Sequence, residues 1–241
     1  MSTQLMERRQ VSTEVQLRAR ADGGQVIEGY SPVYGRMSED LGGFVEVIER
    51  GAASRRITAD DIFGLFNHNP SAVLGRSNPH AKRGVNTMRL AEDDNGVHYE
   101  IDVPDTQLGR DVVTSIERGD ITGASFAFTV LEDRLEATDS GYPLRRIISL
   151  RQMFDTGPVT FPAYPDADAG LRRRSLMLAQ HADELGARSL DELIGLDAAQ
   201  LGELIRKPAS DSNDLDTRAT GLEVSAAHLT EVRLRLAELQ A

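Results

Sequence analysis

From Val15 the chain alternates apolar and polar residues, and glycine-rich breaks divide the alternating runs. A period of two sends successive side chains to opposite faces, so the pattern predicts strands of a half-buried sheet. Asp22-Gly23-Gly24 predicts a hairpin turn, followed by a strand through Val26, Ile27 and Tyr30, and Phe44 to Ile48 predicts another. Ile62-Phe63-Gly64-Leu65-Phe66 reads as an apolar strand that leaves the core through Asn67-His68-Asn69-Pro70. Thr87 to Leu90 and Val97 to Val103 predict a hairpin around Asp94-Asn95-Gly96, with Val97, Tyr99, Ile101 and Val103 on one face. One helix is signalled: Asp105 or Thr106 caps it, Leu108, Val112 and Ile116 form its apolar stripe, and Gly119 ends it. Ile121 to Val130 returns to strand, with small residues Gly123, Ser125, Ala127 and Thr129 on one face. A further strand is expected over Leu144 to Leu150, and a last short one at Val159-Thr160-Phe161-Pro162.

After Arg172-Arg173-Arg174 the period changes. Leu176 to Leu185, Leu190 to Ile205 and Leu222 to Leu239 have helical spacing, and acidic side chains outnumber basic ones two to one. Lys207 to Asp214 has the composition of a linker. The expected organisation is a flexible arm over 1–12, a mainly β, α+β domain over 13–174, and an acidic helical tail over 175–241 outside the β core.

Composition narrows the chemistry. The 241 residues include no cysteine, which removes thiol nucleophiles, thiolate metal sites and disulfides. The formal charge of −11 and the absence of tryptophan disfavour a nucleic-acid partner, because phosphates would be repelled and no broad aromatic platform is present. Met1 to Arg20 lacks the apolar run of a signal peptide, and no stretch reaches the roughly 20 apolar residues of a membrane span. A soluble, non-exported protein without a cofactor is expected.

Ser125 lies in Gly123-Ala124-Ser125-Phe126-Ala127-Phe128, where small same-face neighbours would admit a peptide carbonyl. The alternative is a buried serine on a tightly packed strand. A serine hydroxyl needs a base within hydrogen-bond reach. Of the five histidines, His181 and His228 fit solvent-facing helical positions in the tail, His98 sits on the polar face of a strand, and His80 lies in a polar loop. His68 stands where an apolar strand leaves the core, the place where a rigid scaffold displays functional groups, although a loop histidine bonded to backbone reads equally well. Asp155, between apolar residues near a strand end, is the carboxylate best placed by context to orient an imidazole; a turn aspartate ahead of Gly157-Pro158 is the other reading.

Taken in order, Asn67-His68-Asn69-Pro70 with Val73-Leu74-Gly75-Arg76, then Gly123 to Phe128, then Asp155 with Pro158-Val159-Thr160-Phe161-Pro162-Ala163-Tyr164, resemble the tailed-phage prohead serine protease family. Val103-Pro104-Asp105-Thr106 and Leu41-Gly42-Gly43-Phe44 also look like that family, and the resemblance covers roughly residues 10–170. It implies a closed β-barrel with packed helices, similar to the herpesvirus assembly protease. It also implies a serine endopeptidase that cleaves capsid and scaffold proteins, and itself, inside the assembling prohead in the host cytoplasm. Ser125 would be the nucleophile, His68 the base and Asp155 the orienting acid, with His80 or His98 as alternative third members. Arg145 and Arg146 would support the oxyanion; two solvent-facing arginines on an edge strand are the alternative. The implied partners are the major capsid protein, a scaffold protein or scaffold-like segment, and further copies of the chain. The acidic tail would touch capsid protein or be removed.

Two rivals remain from the residues alone. A non-enzymatic scaffold protein would explain the acidic helices. A metallohydrolase using His68, His80 and His98 lacks the short helical spacing of a zincin.

Overall fold

The structure is a computed structural model and describes residues 6–11, 14–80, 86–160, 167–182, 184–186 and 190–206. Its strands and helices follow in the order β1 (Glu7–Val11), β2 (Gln16–Ala19), β3 (Gln25–Val33), β4 (Val45–Ile48), α1 (Arg56–Ala59), β5 (Ile62–Leu65) and β6 (Val73–Ser77). They continue with β7 (Met88–Glu92), β8 (Gly96–Asp102), α2 (Gln107–Glu117), β9 (Gly123–Ala137), β10 (Pro143–Val159), α3 (Ala167–His181), α4 (Leu190–Ile194) and α5 (Ala198–Arg206). This is a mixed α+β fold made mainly of strands. Among the described residues, one sheet runs β1-β9-β10-β5-β6 with β4 beside β10, and a second runs β2-β3-β8-β7.

The chain divides into two compact units. The first takes in Met1–Arg36, Ile48–Asp133 and Ile147–Tyr164. Its hairpins form where the local chemistry asks for them: β2 and β3 pair antiparallel across Asp22-Gly23-Gly24, where Gly23 adopts φ +86 and the Asp22 carboxylate accepts the Gly24 N–H at 3.1 Å. β7 and β8 pair around Asp93, whose carboxylate accepts the N–H groups of Asn95 and Gly96. Val97, Tyr99 and Ile101 are fully buried, as their alternation predicts, and pack with Ile27, Phe126 and Phe128. α2 begins where Thr106 Oγ1 accepts the Gly109 N–H at 3.1 Å, the side-chain cap that leaves fewer orphan donors at a helix start. The Arg76 backbone N–H donates to Thr87 Oγ1 at 3.0 Å and the Thr87 N–H returns to the Arg76 carbonyl, joining the end of β6 to the residue ahead of β7.

Three expectations change, and one strand is new. The arm expected over 1–12 contains β1, which pairs antiparallel with β9. Its polar sequence carries no apolar period, and only the exposed edge of β9 makes it a strand. β6 was not legible either, since Gly75 and Arg76 interrupt its apolar pattern, yet it pairs antiparallel with β5 through a bulge between Gly64 and Leu65. The two strands expected over 144–150 and from Val159 are one continuous β10; Pro158 lies past the Asp155–Thr156 ladder with β5, and its carbonyl accepts the Asn67 N–H. Finally, the boundary expected after Arg174 falls inside α3.

The second unit takes in Met37–Val47, Arg134–Arg146 and Pro165–Ala241. Leu41 and Phe44 pack with Met177, Leu178, Leu193 and Leu201, so the first helices after Arg174 complete a core. Within it Arg145, 1% exposed, bonds the Glu46 carboxylate at 3.2 Å and the Gln180 side chain at 3.0 Å. His181, expected to face solvent, is buried and bonds Glu184 at 2.9 Å. α4 and α5 divide at Gly195-Leu196-Asp197, where Asp197 and Gln200 exchange a reciprocal pair of backbone-to-side-chain hydrogen bonds, the capping-box pattern. The third expected helix, Leu222 to Leu239, and His228 lie outside the described residues.

A chain ending at Arg174 would strip Met177, Leu178, Leu193 and Leu201 from this core. We expect it to lose stability by roughly 6–12 kcal/mol, four buried apolar side chains' worth. Denaturant titration of the shortened and full chains checks this.

Candidate active site

The first unit gathers three of the residues singled out from the sequence. Ser125 is the third residue of β9, with no exposed surface. Asp155 lies on β10, opposite Phe63 of the parallel neighbour β5, and is 6% exposed. His68 follows β5 in a turn in which both Asn67 and His68 adopt φ +54, a left-handed conformation that is uncommon outside glycine. Such backbone persists when its surroundings over-determine it. Here the Asn67 amide does so: its Nδ2 donates to Thr160 Oγ1 at 2.9 Å, its Oδ1 accepts the Thr160 N–H at 2.8 Å, and its own N–H donates to the Pro158 carbonyl. Asn69 closes the turn by accepting the Ser71 N–H. The His68 ring is therefore carried by a loop pinned to the end of the strand that holds Asp155.

The imidazole spans the other two groups. Nε2 lies 2.6 Å from Ser125 Oγ and Nδ1 lies 2.5 Å from Asp155 Oδ1. A carboxylate accepts only, so a neutral ring carries its hydrogen on Nδ1, donates it to Asp155, and leaves the Nε2 lone pair facing the serine hydroxyl. Ser125 Oγ also lies 2.9 Å from the carbonyl oxygen of Arg9 on β1. The His68 and Asp155 side chains are 10% and 8% exposed, so the pair sits largely out of water, where its attraction is less screened.

β10 reaches this position because Gly157 lacks a side chain. A Cβ there would stand 2.4 Å from the Leu65 carbonyl oxygen, a backbone atom that cannot swing away. Gly157→Ala should push β10 from β5, separating Asp155 from the His68 turn. An error of about 1 Å costs on the order of 100-fold in turnover, so kcat should fall by that order with KM changed far less, as measured on a short peptide.

His80 and His98 have partners of their own. His80 Nε2 donates to the Ala59 carbonyl at 3.0 Å, and the His98 ring packs against Tyr30 at 5.0 Å between centroids. Neither bonds His68, and the three histidines of the metal rival do not share a ligand position. Among the described residues no group of three or more His, Asp or Glu is arranged to hold a metal ion. Arg145 and Arg146 belong to the second unit, where Arg145 meets Glu46 and Gln180, and Arg146 meets Glu136. Arg145 is thus a buried core residue, not a solvent-facing one.

Sequence reasoning missed Asn67 and Arg9. The asparagine stood beside His68, but its partner Thr160 is 93 residues away. The arginine contributes a backbone carbonyl, for which no residue type gives a signal.

Residues 13–182 match the family profile described as caudovirus prohead serine protease. No curated protein matches the chain. Among solved structures, the bacteriophage T4 capsid assembly protease gp21 aligns with a TM-score of 0.42 and 10% identity, covering 67% of this chain and 100% of that one. No helix among the described residues is long and apolar enough to cross a membrane. With the profile matched over more than half its length, this chain belongs to the caudovirus prohead serine proteases, the proteases of tailed-phage capsid maturation.

Proposed function

We propose that the chain is a serine endopeptidase in which Ser125 is the nucleophile, His68 the general base and Asp155 the group that orients and stabilises the imidazolium. The observation that carries this reading is the unbroken line from Ser125 Oγ through His68 to Asp155, with contacts of 2.6 and 2.5 Å. Oγ attacks the scissile carbonyl carbon as its proton passes to Nε2. The imidazolium returns that proton to the leaving amine, and water, deprotonated by the same ring, hydrolyses the acyl-serine. Nothing in this sequence of steps calls for a cofactor.

The substrates in this reading are the capsid protein and a scaffold protein, met inside the assembling prohead in the host cytoplasm, with copies of the chain associating there. A closed barrel similar to the herpesvirus assembly protease is the architecture that goes with it. The bonds between Arg76 and Thr87, which link the ends of the two sheets, support that closure. The acidic stretch after Arg206 is proposed to contact capsid protein or to be removed. A scaffold protein without activity remains the second reading, favoured by the acidic composition after Arg174 alone.

Incubation with unprocessed capsid protein separates the two. Discrete fragments, together with a fluorophosphonate adduct mapped to Ser125 by mass spectrometry, are expected. Intact capsid protein and no adduct on an unfolding-resistant sample would leave the scaffold reading standing.

A further inference from the structure

The nucleophile is covered by the chain's own backbone. β1 pairs antiparallel with β9 in a register that sets Arg9 opposite Phe126, Gln10 opposite Ser125 and Val11 opposite Ala124. Ser125 has no exposed surface, so no outside carbonyl reaches Oγ while β1 is in place. The strand is docked rather than draped: Glu7 and Arg9 are 6% and 7% exposed, their side chains pair at 2.5 Å, and the Arg9 guanidinium lies over the Phe128 ring at 5.6 Å. An extended peptide added to a sheet edge, with one carbonyl at the serine, is how a peptide substrate would engage β9.

The Arg9 carbonyl also disturbs the hydroxyl. Ser125 has one hydrogen and two acceptors, the Arg9 oxygen at 2.9 Å and His68 Nε2 at 2.6 Å. A hydrogen given to Arg9 is withheld from the base. The carbonyl presents its oxygen to Oγ rather than its carbon, so the docked bond is held short of attack.

Resting on Ser125 as nucleophile, we propose that β1 occupies the path of the substrate strand and keeps the enzyme latent, and that the Arg9–Gln10 peptide bond is the self-cleavage site whose hydrolysis vacates it. When that carbonyl turns its carbon to Oγ, the serine proton passes to His68 Nε2 and a bond forms between Oγ and the Arg9 carbonyl carbon. The carbon–nitrogen bond to Gln10 then breaks, and the proton moves from His68 to the Gln10 amine. Water cleaves the Arg9 ester, releasing a segment that ends in the Arg9 carboxylate and restoring the hydroxyl. The released strand has lost its covalent tie to the fold, so its few ladder bonds no longer hold it.

The test follows the full chain in time by intact mass and N-terminal sequencing, alongside hydrolysis of a fluorogenic peptide. A species beginning at Gln10 is expected, forming at a rate independent of protein concentration, and peptide hydrolysis should show a lag that ends as that species accumulates. Ser125→Ala should keep the bond intact. Arg9→Asp places a second carboxylate beside buried Glu7 and should expel β1, abolishing the lag and raising the initial rate about 10-fold or more, as release of a mostly occupied site requires. Full peptide hydrolysis from the outset with Arg9–Gln10 uncut would overturn the proposal while leaving the nucleophile assignment untouched. Cleavage at another bond, or a rate that climbs with protein concentration, would overturn it as well. A folded Arg9→Asp protein inactive on every substrate would instead remove the catalytic reading on which it rests.

Discussion

Ser125→Ala should reduce cleavage of capsid protein by roughly 10,000-fold or more, the scale on which a triad enzyme loses rate with its nucleophile. The substitution deletes one oxygen and keeps Cβ, on a strand whose first eight residues are all buried, so no neighbour must move. Its cost to stability comes from the two groups left without that oxygen, His68 Nε2 and the Arg9 carbonyl, and should stay within about 1–3 kcal/mol. Circular dichroism and thermal melting would therefore report a folded protein, while gels of capsid protein would show no processing. Ser115, whose hydroxyl donates to the Asp111 carbonyl on α2, and Ser149 on β10 serve as controls, and alanine at either should leave turnover within a few-fold of the parent. A folded Ser125→Ala enzyme that still processes capsid protein at the parental rate would eliminate the proposed nucleophile.

The second large effect is expected at Asp155. As a carboxylate it only accepts, and so it obliges His68 to carry hydrogen on Nδ1 and to keep Nε2 free for the serine proton. Asparagine has nearly the same shape, but its amide can present N–H to Nδ1. That turns Nδ1 into an acceptor and moves the ring hydrogen to Nε2, the tautomer that cannot act as base. The lost charge also ceases to stabilise the imidazolium formed during attack. Both losses fall in the transition state, so kcat should drop by about 10,000-fold while KM changes little. His80→Gln and His98→Gln should leave both constants nearly unchanged, since those rings bond Ala59 and pack on Tyr30. A crippled histidine variant beside a nearly normal Asp155→Asn would assign the third position to a histidine.

The elements legible in the chain were those whose cause lies within a few residues. The cap at Thr106, the turn at Asp22-Gly23-Gly24 and the alternation from Val97 to Ile101 each express a short-range preference, and each element formed where that preference lay. His68 was singled out for the same reason: an apolar strand ended beside it. β6 and β1 were not legible, because Gly75-Arg76 and Glu7-Arg8-Arg9-Gln10 have no period of their own and become strands only against β5 and β9.

The local sequence, then, determined where strands turn, where α2 starts, and which serine, histidine and aspartate stand at element ends. Tertiary structure alone decided that the three meet, because they are separated by 57 and 87 residues and their contacts are made by strands whose order in the sheet no local period encodes. It also decided the left-handed turn at His68, which depends on the distant Thr160, and the close approach of β10 to Leu65 that Gly157 permits. The same holds for the helices after Arg174. Their apolar spacing was readable as helix, but whether that face met solvent or Leu41 and Phe44 depended on which distant segment arrived to be buried, since burial is a property of the surface that closes over a residue and not of the residue itself.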